Sequence, residues 1–201
     1  MLECRVVPRI KPMRLTRSKP FDNPDYIFEL KHDGFRAIVY IDDGNAELVS
    51  RNQNRFAFGS LKIALAQLPV KNAILDGEVV CLDRNGASQF NQLLARKTPP
   101  IFYAFDLLWL NGKDLRKLPL IERKKRLQQL VKKSQCEELM YALHIEADGK
   151  RFFEEVCALD LEGIIAKRKN SVYRDGQTGW LKIKNAKYTQ AEGRHDLLRG
   201  S

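Results

Sequence analysis

From Tyr26 onward the chain repeatedly forms short runs of β-branched and aromatic residues that stop at turn signals, and this rhythm limits the folds open to it. YIFELKH, FRAIVYID and NAELVS come first, and Asp43-Gly44 between the last two marks a tight hairpin. LKIALAQL then has helical period. NAILDGEVVCLD and IFYAFDLLWL read as long strands, closed by turns at Asp83-Arg84-Asn85-Gly86 and Asn111-Gly112. Between them, Ser88 to Ala95 reads as a short helix capped by Ser88. A longer helix begins just after Pro119. Strand LMYALHI, helix GKRFFEEVCAL, strand GIIAKRK, a polar loop and strand GWLKIKN complete the pattern. The even βαβ alternation of a doubly wound fold is missing, so the spacing points to an α+β domain with mostly antiparallel sheets.

The 201 residues, 44% hydrophobic and 30% charged, suit a packed domain and not a disordered or fibrous chain. Their net charge of +10 calls for a polyanionic partner such as nucleic acid, nucleotide or an acidic membrane. The excess is uneven. Residues 1–20 carry six basic side chains against Glu3 and three prolines, and read as a basic arm leading into a domain at 21–187, with 188–201 as a short polar tail. In the helix after Pro119, Leu120, Leu127, Leu130 and Val131 share one face. Arg123, Lys124, Lys125, Arg126, Lys132 and Lys133 read as its solvated face. No apolar run approaches the roughly 20 residues of a membrane span, and no secretory h-region is present. Cys4, Cys81, Cys136 and Cys157 form no CxxC pair and, with His32, His144 and His195, have no zinc-site spacing. A reduced, cytoplasmic setting follows as an expectation.

The chemistry concentrates in an ordered set of segments. In Glu29-Leu30-Lys31-His32-Asp33-Gly34-Phe35-Arg36, strand alternation would put Lys31 between Glu29 and Asp33 on one face. The series continues with SRN (50–52), LDGE (75–78), FYAFDLL (102–108), LEGIIAKR (161–168) and WLKIK (180–184). Together these six segments resemble the adenylation domain of ATP-dependent DNA ligases, and most of all the ligase domain of bacterial end-joining ligases. PFDNPDYIFELKHDGFRA, PLIERKKRL and SVYRDGQTGWLKIK share that family's character. The likeness runs from about Pro12 to Lys184 and implies the nucleotidyltransferase fold, two mostly antiparallel sheets flanked by helices around an ATP cleft.

The resemblance implies a role for each matching residue. Lys31 is the nucleophile that becomes lysyl-AMP, and its amine must be held at a lower pKa than the ordinary value near 10.4. Lys182 and Lys184 supply like charge and neutralise the α-phosphate. Glu29 turns toward the adenine amino group and Phe105 stacks on the base. Arg36 meets the ribose and later the nick, and Arg51 grips a 5′-phosphate. Glu78 and Glu162 meet the ribose or hold Mg²⁺ or Mn²⁺, with Gly77 and Gly163 allowing close approach to a ligand. The implied partner is nicked or broken double-stranded DNA in a repair setting, in a bacterial, nucleoid-associated location. Family members continue into an OB-fold domain, whereas 17 residues follow Lys184 here; the expectation is an adenylation domain working with an OB-fold or DNA-end-binding partner. An RNA ligase or capping-type nucleotidyltransferase shares the same core motifs. A nucleotide- or DNA-binding module without turnover is the reading from a different class.

Overall fold

The computed structural model describes residues 7–84, 86, 88–95 and 98–191. The hairpin at Asp43-Gly44 forms as the sequence requires. Both residues have positive φ, 42° and 76°, which matches the twist of β3 (Phe35–Asp42) and β4 (Asn45–Ser50). β5 (Asn72–Val80) pairs antiparallel with β3, and β6 (Ile101–Leu110) with β5. β7 (Lys113–Asp114) folds back on β6 through Asn111-Gly112, and β8 (Leu139–Tyr141) adds to β6 in parallel. The strand order of this first sheet is β4-β3-β5-β6-β7.

The second sheet draws on both ends of the described chain. Its order is β1 (Arg14–Arg17), β11 (Thr178–Lys184), β10 (Gly163–Arg168), β2 (Asn23–Leu30) and β9 (His144–Ala147). Only the β1–β11 ladder in it is parallel. This corrects the reading of a separate basic arm: Ile10 and Met13 are core residues, and β1 is a strand of the domain. Residues 1–6 lie outside the described residues, as do 192–201 of the expected tail. Within that tail Tyr188 is buried and donates its hydroxyl to Asp33 Oδ2 at 3.0 Å.

Strand alternation sorts the side chains into three layers. Ala37, Val39 and Ile41 of β3 pack outward with α1 (Gly59–Ala66) and α3 (Leu120–Ser134). Ile38 and Tyr40 face the other way, into a core between the sheets with Ile74, Ile165 and Trp180. Phe28, Ile164, Ala166 and Ile183 pack on the far side against Val156 of α4 (Gly149–Ala158). Cleft residues therefore come from the strand faces turned toward the middle layer.

Three local expectations change. The helix after Leu82 is shorter, α2 (Phe90–Leu94), and Ser88 does not cap it; Ser88 Oγ instead lies 3.4 Å from His32 Nδ1. LMYALHI is two strands, β8 and β9, in different sheets. The largest correction concerns α3, where Arg123 and Lys124 are 0% exposed. Arg123 grips Asp106 with two bonds of 2.7 and 2.8 Å and also donates to the Leu118 and Ser171 carbonyls. Lys124 reaches Glu29. Charge at those two positions is not a solvated face; it answers buried carboxylates.

Candidate active site

β2 ends at Leu30, so the alternation that would place Lys31 between Glu29 and Asp33 stops one residue short. Glu29 turns into the core instead. Its Oε1 accepts from Lys124 Nζ at 2.5 Å, and Lys167 Nζ lies 2.5 Å from Oε2 in an ionic contact that is not aligned as a hydrogen bond. Burial opposes the charge on Glu29. The two ammonium groups outweigh it and hold the carboxyl below its ordinary range. Lys167, fully enclosed, is pushed down to about 8 by burial. Its Nζ sits 4.2 Å from the centre of the Phe105 ring and 4.0 Å from that of Trp180.

Glu29, Lys167, Phe105 and Trp180 line one cleft of about 420 Å³, open mouth included, together with Leu15, Lys31, His32, Arg36 and Glu78. Arg36 is fixed by a bidentate pair with Asp76, at 3.0 and 2.7 Å, and by donation to the Met13 carbonyl at 2.7 Å. Asp76 also accepts the Tyr173 hydroxyl at 2.7 Å. His32 stacks on Tyr103 with ring centres 4.0 Å apart, and burial lowers its pKa to about 4, which leaves it neutral at pH 7. Burial raises Glu78 to about 7, against the opposing charges of Lys31 and Arg36.

Lys31 stands at the mouth. Its Nζ donates to Glu162 Oε2 at 2.7 Å, and Lys184 Nζ lies 3.4 Å from Oε1 of the same carboxylate. A second hollow, lined by Asp33, Ser88, Glu162 and Tyr188, opens on the other side of Lys31. Glu162 is followed by Gly163 at φ 140°, where an added Cβ would come 2.1 Å from the Ile183 carbonyl. At Gly77 a Cβ would meet the Phe102 ring at 2.3 Å. Both glycines permit close packing of chain on chain.

Of the expected site residues, the cleft thus gathers Glu29, Lys31, Arg36, Glu78 and Phe105, with Glu162 and Lys184 attached through Lys31. Lys182 lies close enough to feel Lys184, Arg17, Lys31 and Arg51, and burial followed by these charges lowers its pKa. Arg51 is exposed on the turn after β4 and lies outside the cleft lining. Lys124, Lys167, Trp180 and His32 all lie inside the motifs that carry the resemblance, but none was assigned to the site, and Lys124 was read as solvated. Among the described residues no group of three His, Cys, Asp or Glu side chains forms a cation cage. Glu162 is nonetheless near enough to Glu78 for its charge to help raise the Glu78 carboxyl, beside Lys31. Two carboxylates fit a Mg²⁺-type ion that completes its shell with substrate phosphates and water.

Two facing sheets around a cleft with a lysine at its mouth define the class of nucleotidyl-transferring ligase domains. Comparison with known proteins narrows this: the model of the ATP dependent DNA ligase domain matches residues 14–184, and the chain belongs to that family. The multifunctional non-homologous end joining protein LigD of Pseudomonas aeruginosa is 34% identical over 168 residues, covering 80% of this chain and 20% of that protein. DNA ligase C of Mycobacterium tuberculosis is 31% identical over 205 residues, covering 92% of this chain and 56% of that one. The solved structure of mycobacterial DNA ligase D complexed with ATP and MES matches with a TM-score of 0.77 at 31% identity, over 87% of this chain and 60% of that one. The chain spans about a fifth of the length of the end-joining relatives it matches. No helix among the described residues is long and apolar enough to cross a membrane.

Proposed function

We propose that this domain transfers AMP from ATP to Lys31 and then to the 5′-phosphate of a nicked or broken DNA duplex, for sealing by the 3′-hydroxyl. The observation that carries the reading is Lys31 itself, poised between the cleft and Glu162 at 2.7 Å. Glu162 Oε2 accepts the proton from Nζ. The freed amine attacks the α-phosphorus, an N–P bond forms, and pyrophosphate leaves with the electrons of the broken P–O bond. A DNA 5′-phosphate oxygen then displaces the lysine, which recovers its proton, and the 3′-hydroxyl finally displaces AMP. Catalysis here is positioning and electrostatics.

The cleft residues have matching tasks. Phe105 offers a ring face for the base, and Glu29 an acceptor held in place by Lys124 and Lys167. Arg36 and Glu78 flank the sugar, while Lys182 and Lys184 offset the growing phosphate charge. Glu78 and Glu162 would hold the divalent cation, whose contribution when bound is to neutralise phosphate oxygens. The end-joining names of the relatives favour double-strand-break repair, alongside an OB-fold or DNA-end-binding partner.

Intact mass after incubation with Mg²⁺ and either ATP or GTP tests this. The expected result is the gain of one AMP from ATP, abolished by Lys31→Ala, followed by loss of AMP on adding a nicked DNA duplex. A gain only from GTP would assign the chain to a capping-type reaction, and release only onto nicked RNA to RNA ligation. No gain at all, even with an OB-fold partner added, would reduce it to a binding module.

A further inference from the structure

The ladders of the second sheet align its cleft-facing side chains in rows. One row runs Arg17, Lys182, Ile165, Glu29, each residue directly opposite the next. The row deeper in the cleft begins with Leu15 opposite Trp180, both of which line it. Arg17 follows Leu15 by two residues and Lys182 follows Trp180 by two, so period-two alternation puts both cations on the cleft face, one step nearer the mouth. The outermost row holds Lys184 opposite Gly163, whose carbonyl accepts the Lys31 N–H at 2.9 Å.

Five cations thus meet at one rim: Arg17, Lys31, Arg51, Lys182 and Lys184. Glu162 pairs with Lys31 and Lys184. Among the described residues Arg17, Arg51 and Lys182 have no carboxylate within salt-bridge distance, and the strongest charge effects on Lys182 come from Lys184, Arg17, Lys31 and Arg51. Such a cluster is unfavourable unless an anion enters it. Arg17 lies opposite Lys182 on β1, Arg51 acts on it from the turn after β4, and both strands are sheet edges. A guanidinium there can take two phosphate oxygens at once, which an ammonium cannot.

We propose that Arg17 is a phosphate-binding residue of this rim, acting beside Lys182 on a phosphate that projects from the cleft past Lys31. The phosphate is either the departing pyrophosphate of the nucleotide or the 5′-phosphate of the broken strand. The proposal rests on the adenylation reading for its ligand and deepens it by one residue. Its test is binding, which needs no turnover.

Wild type, Arg17→Ala, Arg17→Lys and Arg151→Ala would be titrated with inorganic pyrophosphate, with a nicked duplex bearing a 5′-phosphate, and with the same duplex bearing a 5′-hydroxyl. Arg151 is an exposed arginine on α4, outside the cleft lining. The expected result is about a tenfold loss for Arg17→Ala on pyrophosphate, on the 5′-phosphorylated nick, or on both, with part of it recovered in Arg17→Lys and none lost in Arg151→Ala. Loss on pyrophosphate identifies the leaving group, and loss confined to the phosphorylated nick identifies the strand. Unchanged binding of all three probes would overturn the proposal. So would an equal loss on the 5′-phosphate and 5′-hydroxyl duplexes with pyrophosphate unaffected, because Arg17 would then read only the DNA backbone. A wild-type protein that binds pyrophosphate through Arg17 yet never gains AMP would refute the adenylation reading and leave the rim site standing.

Discussion

The cleft floor and the cleft rim hold similar numbers of charges in opposite conditions. On the floor, Glu29 receives Lys124 and Lys167, Asp106 receives Arg123, and Asp76 receives Arg36 and Tyr173. Each of these charges has a partner. At the rim Glu162 pairs with both Lys31 and Lys184, while among the described residues Arg17, Arg51 and Lys182 have no carboxylate within salt-bridge distance. The floor network is internally paired, so it fixes the geometry of the groups it presents to the cleft. The rim is open, and its imbalance is what a polyphosphate would relieve. Buried pairs of the floor type do not guarantee stability over an apolar core, but removing one member strands the other at large cost.

That contrast can be broken in graded steps. The largest effect on stability is expected from Arg123→Ala, which strands Asp106 at 0% exposure and should cost about 3–5 kcal/mol in urea unfolding. The paired change Arg123→Met with Asp106→Leu should recover most of it. Next, Glu29→Gln keeps the shape but leaves two buried ammonium groups facing an amide, a loss of roughly 3 kcal/mol. It should also lower the Lys167 titration further below about 8, readable by lysine-detected NMR, because the attraction of Glu29 is what opposes its burial.

A smaller effect follows from Glu78. Its carboxyl is raised in the folded state from an ordinary 4.5 to about 7, so folding favours the protonated form, and its contribution to stability falls as pH rises through that window. Glu78→Gln should therefore gain about 2.5 kcal/mol on wild type between pH 5 and pH 8. His32 acts in the opposite sense: lowered from 6.5 to about 4, it costs stability as pH falls through that range. Smallest of all, Arg151→Ala, which removes an exposed helical pair with Glu155, should change stability by less than about 0.5 kcal/mol.

Much of this architecture was legible in the residues. The Asp43-Gly44 turn needed two left-handed positions, and the ordered motifs brought Lys31, Glu78, Phe105 and Glu162 to one region. The buried α3 cations were less legible, because lysine and arginine on a helix are ordinarily solvated. Yet a signal was there: Arg123 and Lys124 stand three and four residues after Leu120 and before Leu127, on the very stripe those leucines define. Counting position ahead of residue type would have placed them inside. The partner of Lys31 was beyond such reasoning. Glu162 lies 131 positions away, and only the end of β2 at Leu30 removes Lys31 from the alternation that Glu29 and Asp33 suggested.

The two sheets also differ in when they can exist. β3, β4, β5, β6 and β7 follow one another along the chain and each pairs with a strand one or two places away, whereas β1 and β2 must find β10 and β11 from the opposite end. Pairing between distant segments is slow because the loop must close before any contact rewards it. On a ribosome the first sheet has all its consecutive strands by Asp114, while the second lacks its central pair until Lys184 has emerged. The nascent chain therefore carries Lys31 long before β10 and β11 can form the wall of the cleft that faces it.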